Sequence, residues 1–210
     1  MPYLPEFLVI VVAHALAVVS PGPDFAIVLR QSLRHGRRAA LWTSIGIGCG
    51  LSVHIGYSLL GLGLFLRNSA MALDIVKWLG AAYLAWIGLQ AVRAKPREGD
   101  VDLDGHPGDA VSSRAAWFSG FLVNVTNPKA ALFFISLFPL AVSVTTPRLV
   151  QVGYGVWMTV TTAGWFSFVS LVFTRTEVRR AFLRHGHWID RALGVVFLGF
   201  AASLLFTTFR

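Results

Sequence analysis

An apolar run that begins near Leu4 is interrupted by Ser20-Pro21-Gly22-Pro23-Asp24-Phe25, which places a carboxylate beside two prolines and a glycine. Proline has no amide hydrogen, so a helix cannot pass through it without losing a backbone hydrogen bond. In lipid, such irregular backbone persists only where protein or a water-filled cavity satisfies its polar groups. The break is therefore either an ordinary loop of a soluble protein or a functional interruption of a membrane span.

The composition decides between these two settings. Hydrophobic residues make up 55% of the chain and charged residues only 13%, whereas about a quarter of a typical soluble domain is charged. A membrane span needs about 20 mostly apolar residues. The sequence therefore predicts an all-α membrane protein, whose six transmembrane helices are residues 4–20, 39–66, 70–92, 116–143, 148–173 and 188–209.

The net charge of +8 is unevenly distributed along the chain. Most of the arginines and lysines follow the first, third and fifth predicted spans, in residues 30–38, 93–114 and 175–191. By the positive-inside bias these segments are loops in the cytoplasm, and both termini lie outside. This distribution explains the basic excess without a nucleic-acid partner. Residues 1–6 contain no Lys or Arg, which favours a retained first span over a cleaved leader.

The second half of the chain repeats the pattern of the first half. Pro21 aligns with Pro128, and Gly46 aligns with Gly153 at the same offset. Each half holds three spans, an odd number, so the halves cross the membrane in opposite senses. The predicted organisation is an inverted repeat with a first three-helix unit, a cytoplasmic linker and a second three-helix unit: residues 1–92, 93–115 and 116–210.

The linker opens like a calcium-binding loop at Asp100-Val101-Asp102-Leu103-Asp104-Gly105. Its twelfth position is Val111, where a calcium loop requires a bidentate glutamate. A solvated linker is the favoured interpretation.

Breaks at corresponding positions of two inverted repeats are the best sequence indication of a transporter's substrate site. The residues at these breaks, predicted to line one shared cavity, are Pro21, Gly22, Pro23 and Asp24 in the first half and Asn124, Asn127, Pro128 and Lys129 in the second.

Asp24 and Lys129 are charged residues at or near membrane depth, where charges usually mark a pathway, a proton relay or a mutual pair. An amino acid could present its ammonium to Asp24 and its carboxylate to Lys129. The alternative is that Asp24 caps a helix and Lys129 extends to the membrane interface. The charge distribution places Asp24 towards the cytoplasmic end of its span and Lys129 nearer mid-depth.

The first and second predicted spans also contain two histidines and a group of closely spaced glycines. His14 and His54 are either proton carriers or packed histidines bonded to a nearby carbonyl. The spacing of Gly46, Gly48 and Gly50 favours close approach of helix backbones. No motif indicates a metal site, a cofactor or an enzymatic nucleophile, and the single cysteine, Cys49, has no partner for an intramolecular disulfide.

Taken together, these motifs resemble a known family over nearly the whole chain. The chain resembles the lysine exporter / homoserine–threonine resistance (LysE/RhtB) family of bacterial amino-acid exporters. Four segments carry the resemblance: Ser20–Phe25, the basic segment that ends in His35–Ala40, the glycine-rich second span and Asn127–Ala130. The resemblance implies secondary active export of amino acids or their derivatives across the bacterial inner membrane, driven by protons. A cation or metal exporter on a related six-helix scaffold is the alternative.

The substrate itself is constrained by the acidic residues. Asp24 is the only acidic residue at a break, whereas Asp74 and Asp190 fall near span ends, where we expect them at the interface. A dicationic substrate would need a second buried carboxylate, so a neutral, zwitterionic substrate is favoured. The expected partners are this small molecule, protons and the lipid bilayer, and a homo-oligomer is left open.

Overall fold

The structure, a computed structural model, describes residues 3–62, 70–95, 111–143, 145–173 and 176–206. Its helices are α1 Leu4–Val19, α2 Pro23–Arg34, α3 Gly36–Tyr57, α4 Ala70–Val92, α5 Ser113–Val125, α6 Pro128–Leu132, α7 Phe138–Ala141, α8 Arg148–Val172 and α9 Thr176–Phe206. Two π-helical turns, Ser58–Leu62 and Phe133–Leu137, follow α3 and α6. The calcium-loop-like segment at Asp100 lies outside the described residues.

The helix bounds agree with several of the predicted spans. The helices α1, α4 and α8 coincide with residues 4–20, 70–92 and 148–173 within one residue at each end. Within the described part of the chain, Gly36–Leu60 and Arg148–Val172 are each long and apolar enough to cross a membrane. The bent pair α1 and α2 passes the same test when the two helices are taken together.

The basic segments that were predicted to be loops are largely helical. Arg30 and Arg34 lie on α2, and Arg37 and Arg38 lie on α3, so they are not in a loop. Only His35 separates the two helices, and Gly36 has φ 78°, a left-handed conformation that glycine adopts without strain. Similarly, α9 begins at Thr176, so its arginines precede the apolar stretch on the same helix.

The two predicted breaks are present. α1 and α2 are bent by 50° across Ser20-Pro21-Gly22, and α5 and α6 are separated by Thr126 and Asn127. Each helix restarts with a proline directly after its cap, Pro23 after Gly22 and Pro128 after Asn127. The structural counterpart of Pro128 is therefore Pro23, whereas the sequence alignment paired Pro128 with Pro21. This register puts Asp24 and Lys129 at equivalent positions, each the second residue of its helix.

Small residues bring the helices around the breaks close together. A Cβ atom at Gly46 would overlap the carbonyl oxygen of Trp117, and one at Gly120 would overlap the carbonyl oxygen of Thr43. These two contacts fix the crossing of α3 and α5. Gly48 and Gly50 make similar approaches to Ala163 of α8 and Phe121 of α5.

Large apolar side chains also cover the outside of the helices. Most of a soluble protein's large apolar side chains are buried, and long exposed apolar faces mark contact with lipid or a partner. The most exposed include Leu149, Met71, Val160, Val195, Trp78 and Trp188. The outer faces are thus suited to a hydrocarbon solvent, while polar side chains collect at the breaks.

Candidate functional site

The two breaks meet at the carboxylate of Asp24. Its Oδ2 atom accepts a hydrogen bond from Nδ2 of Asn124, at 2.9 Å, and another from Nδ2 of Asn127, at 3.0 Å. Asn124 belongs to α5 and Asn127 to the break that follows, so one carboxylate oxygen joins α2 to both sides of the second break. Asp24 does not cap its own helix, because Gly22 occupies the cap position. We expected Asn127 and Lys129 to meet the substrate deeper in the membrane than Asp24, and the structure brings Asn127 into direct contact with Asp24.

Asn127 has two functions in this arrangement. Its Oδ1 atom accepts a hydrogen bond from the backbone N–H of Lys129, at 3.0 Å, which caps α6. Its Nδ2 group is then left to donate to Asp24. The two partners fix the orientation of the amide, since only the oxygen can accept and only the nitrogen can donate.

Lys129, which follows the second break, forms a hydrogen bond to the first break. Its Nζ atom donates a hydrogen bond to the carbonyl oxygen of Ser20, at 2.6 Å. That carbonyl lies at the end of α1, where the prolines at positions 21 and 23 supply no amide hydrogens. A cation at the start of a helix is disfavoured by the helix dipole, and the carboxylates nearby are Asp24, which lines the inner cavity with Lys129, and Asp190, which lines the outer one with it.

The Asp24 cluster lines a small inner cavity of about 40 Å³. Asp24 Oδ1 and Asn124 Oδ1 are buried and have no hydrogen-bond partner. Buried polar atoms are nearly always paired in proteins, and an unpaired one calls for an explanation such as a water or a ligand. Since about 10–15 Å³ suffices for one water, the inner cavity has room for water but is too small for an amino acid.

The two histidines have different surroundings. His14 lines the inner cavity, and its Nε2 atom is 3.1 Å from the hydroxyl of Thr162. His54 is packed beside the second break: Nε2 lies 2.9 Å from the carbonyl oxygen of Asn124, and Nδ1 lies 3.0 Å from the hydroxyl of Tyr57. The same hydroxyl donates to the carbonyl oxygen of Ala131, at 3.2 Å. His54 and Tyr57 thus hold carbonyls on both sides of the second break.

A second, outer cavity of about 330 Å³ lies against the same breaks. Ser20, Gly22, Asn127 and Lys129 line both cavities, and the remaining wall of the outer one comes from the breaks and from α4 and α9. Tyr83 and Trp86 in this wall were not predicted, because aromatic residues on an apolar helix usually indicate packing or interface anchoring.

Asp190 of α9 also lines the outer cavity. Asp190 was expected near a span end, at the interface. Because α9 starts earlier than the predicted sixth span, Asp190 lies instead in the body of a continuous helix. Asp74, by contrast, is exposed on α4 and lines neither cavity. No group of three or more His, Cys, Asp or Glu side chains suited to a metal ion occurs among the described residues.

Helices long and apolar enough to span a bilayer, with polar side chains gathered at two interior breaks, define an all-helical, multi-pass membrane protein. The model of the LysE type translocator family matches residues 15–208, and the chain belongs to this family. Membership of a translocator family makes it a transporter and not an enzyme.

Two named relatives are similar over much of the chain. The threonine efflux protein of Escherichia coli (strain K12) is 32% identical over 199 residues, which cover 95% of this chain and 97% of the relative. The homoserine/homoserine lactone efflux protein of Salmonella typhimurium is 38% identical over 137 residues, which cover 65% of this chain and 64% of the relative. No solved structure matches this chain significantly.

Proposed function

We propose that this protein is a secondary active exporter of amino acids or their derivatives across the bacterial inner membrane. The observation that carries the proposal is the Asp24 carboxylate, held by Asn124 and Asn127 where the two helix breaks meet. Its Oδ1 atom is buried without a partner, and Asp24 is one of the residues that line the inner cavity. A carboxylate in this state is an acceptor for an ammonium group, and hydrogen bonds to charged groups are about twice as strong as neutral ones.

The favoured substrate is a small neutral amino acid in its zwitterionic form. The site offers a carboxylate at Asp24 and an ammonium at Lys129, which complement the two charged ends of an amino acid. The names of the relatives support this choice, since threonine and homoserine are both neutral amino acids with a side-chain hydroxyl. Asp190 adds a second carboxylate at the outer cavity, so the choice of a neutral substrate rests on the relatives and not on the number of carboxylates.

Coupling to protons follows from competition for one carboxylate. Asp24 can hold a proton or the ammonium group of a substrate, but not both at once. If protonation releases the substrate and deprotonation permits its binding, proton entry drives export without a dedicated cofactor. His14 lines the same cavity and is the candidate for passing the proton onward.

The arrangement that we propose in the membrane has six spans in two inverted three-helix repeats, joined by the cytoplasmic linker, with both termini outside. Two features of the helices support the repeat. Both breaks end with a cap residue followed by a proline at the first helical position. In addition, a Cβ at Gly88 would lie 3.0 Å from the carbonyl oxygen of Gly194, and one at Gly194 would lie 2.7 Å from that of Gly88. Such reciprocal contacts are typical of two elements related by a two-fold axis.

Transport can be tested with the full-length protein in proteoliposomes. Vesicles containing labelled L-threonine are diluted into buffers with and without an inward proton gradient, and retained label is followed over time. We expect the gradient to accelerate efflux relative to protein-free vesicles. The proposal fails if neither threonine nor any of the other standard amino acids shows flux that depends on the protein.

A further inference from the structure

The outer cavity has the size and lining of a binding site for a small solute. Its volume of about 330 Å³ falls at the lower end of the range for small-molecule pockets, which is roughly 300–1,000 Å³. The inner cavity, with about 40 Å³, cannot hold such a solute. A substrate that reaches the Asp24 cluster from this side must therefore first occupy the outer cavity.

Charges of both signs line the outer cavity. Lys129 lies in its wall, with Nζ bonded to the carbonyl of Ser20, and Asp190 lies in the wall contributed by α9. Asp190 and Lys129 line the same cavity, so one small zwitterion within it can be offered both charges. A carboxylate ligand is a stronger acceptor for an ammonium than a neutral backbone carbonyl is.

The wall contributed by α4 holds a polar group that the protein leaves unpaired. Tyr83 is 8% exposed, its ring lies 6.1 Å from that of Trp86, and its hydroxyl is buried without a hydrogen-bond partner. Both rings line the outer cavity. A buried tyrosine hydroxyl normally has a partner, so this one is suited to receive a hydrogen-bonding group from a ligand.

We propose that the outer cavity is a recognition site for hydroxylated α-amino acids, which precedes the Asp24 cluster on the transport path. The substrate carboxylate takes the place of the Ser20 carbonyl on Lys129 Nζ, the ammonium faces Asp190, and the Tyr83 hydroxyl bonds the hydroxyl on the substrate side chain. Tyr83 is then the residue that selects the side chain. This inference rests on the proposed function, because it assigns a substrate class to the same exporter.

The test compares L-threonine with L-2-aminobutyrate, which lacks only the side-chain hydroxyl. Each is used to compete with labelled L-threonine for transport by full-length protein in proteoliposomes. In the wild-type protein we expect threonine to compete about tenfold better, since a lost hydrogen bond to a buried group has roughly this effect. In Tyr83→Phe we expect the two compounds to compete equally. Tyr154→Phe is the matched control, because its hydroxyl donates to the carbonyl of Tyr3 and lines neither cavity.

A second variant tests the charged end of the site independently. We expect Asp190→Asn to weaken competition by threonine at least tenfold while competition by the corresponding hydroxy acid, which has no ammonium, changes little. Asp74→Asn, on the exposed face of α4, is the control.

An unchanged preference in Tyr83→Phe, or an equal loss for both compounds, overturns the assignment of Tyr83. A wild-type protein that exports only amino acids without a hydroxyl retains the proposed function and overturns this inference. If no amino acid is transported at all, the proposed function itself fails.

Discussion

Asp24 Oδ2 accepts a hydrogen bond from Asn127 Nδ2 at 3.0 Å, although the two residues are 103 positions apart in the sequence. One lies just after the first helix break and the other lies within the second. The contact makes the two breaks a single structural unit, so a change at either break should alter the geometry at the other.

Replacing Asp24 with asparagine removes the negative charge and keeps the size of the side chain. We expect export to fall by at least about tenfold, since hydrogen bonds to charged groups contribute roughly 1.5–3 kcal/mol. The remaining flux should no longer respond to a proton gradient. Efflux from proteoliposomes with and without the gradient measures both effects, with Asp74→Asn as the control. Full gradient dependence in Asp24→Asn would exclude Asp24 as the coupling group.

Asn127→Ala removes the cap of α6 together with one of the two donors to Asp24. We expect a loss of about 1–2 kcal/mol in stability from the missing cap and a larger loss of export. Ser112→Ala is the matched control, because Ser112 caps α5 through a 3.2 Å bond from the backbone N–H of Ala115 and lines neither cavity. Thermal unfolding in detergent and efflux should separate the two effects: both variants lose stability, and only Asn127→Ala loses transport.

Lys129→Met keeps most of the side-chain length and removes its charge. Removal of one partner from a buried set of charges leaves the others uncompensated, at a cost of about 3–5 kcal/mol. We expect the variant to be less stable and inactive, and we expect Lys129→Arg to keep stability but transport slowly, because the larger guanidinium differs in shape from the ammonium. If Lys129→Met exported threonine at the wild-type rate, the carboxylate-binding role of Lys129 would be wrong.

Two glycines of α3 provide a test of the helix crossing. A Cβ at Gly46 would overlap the carbonyl oxygen of Trp117, whereas a Cβ at Gly56 meets nothing within 4 Å. We expect Gly46→Ala to separate α3 from α5 and to lower the unfolding temperature and yield strongly. Gly56→Ala should be neutral or stabilise the protein by up to about 1 kcal/mol, because alanine is the better helix former. Equal behaviour of the two variants would contradict this packing.

The positions of the breaks could be predicted from the sequence because proline acts locally. The missing amide hydrogens at Pro23 and Pro128 end one helix and start the next whatever surrounds them. The meeting of the breaks was also expected, from the repeat. The pairing of Asn124 with Asp24 was not, since a hydrogen bond between two helices depends on their relative rotation, and no periodicity in the sequence determines it.

The main error in the sequence-based prediction was to assign the arginine-rich segments to loops, whereas they extend the helices. The arginines of α2 suggested a loop, yet α2 buries Phe25 and Val28 on one face, and the basic side chains occupy the rest of it. Tertiary packing of an amphipathic face stabilises such a helix more than its mean hydropathy suggests. The helix α9 likewise begins at Thr176, earlier than the predicted sixth span, and Asp190 in its body lines the outer cavity.

The position of Lys129 bears on how the proposed exporter would keep its two sides separate. A proton-coupled exporter cannot connect the two sides of the membrane by an open water path, because the proton gradient would collapse. Lys129 belongs to the wall of both cavities, and its bond to Ser20 holds it across the gap between the breaks. Lys129 shares this position with Ser20, Gly22 and Asn127, and it is the charged residue among the four. In the proposed recognition step the substrate carboxylate displaces Lys129 from the carbonyl of Ser20. The contact between the two breaks would therefore open only when substrate is bound.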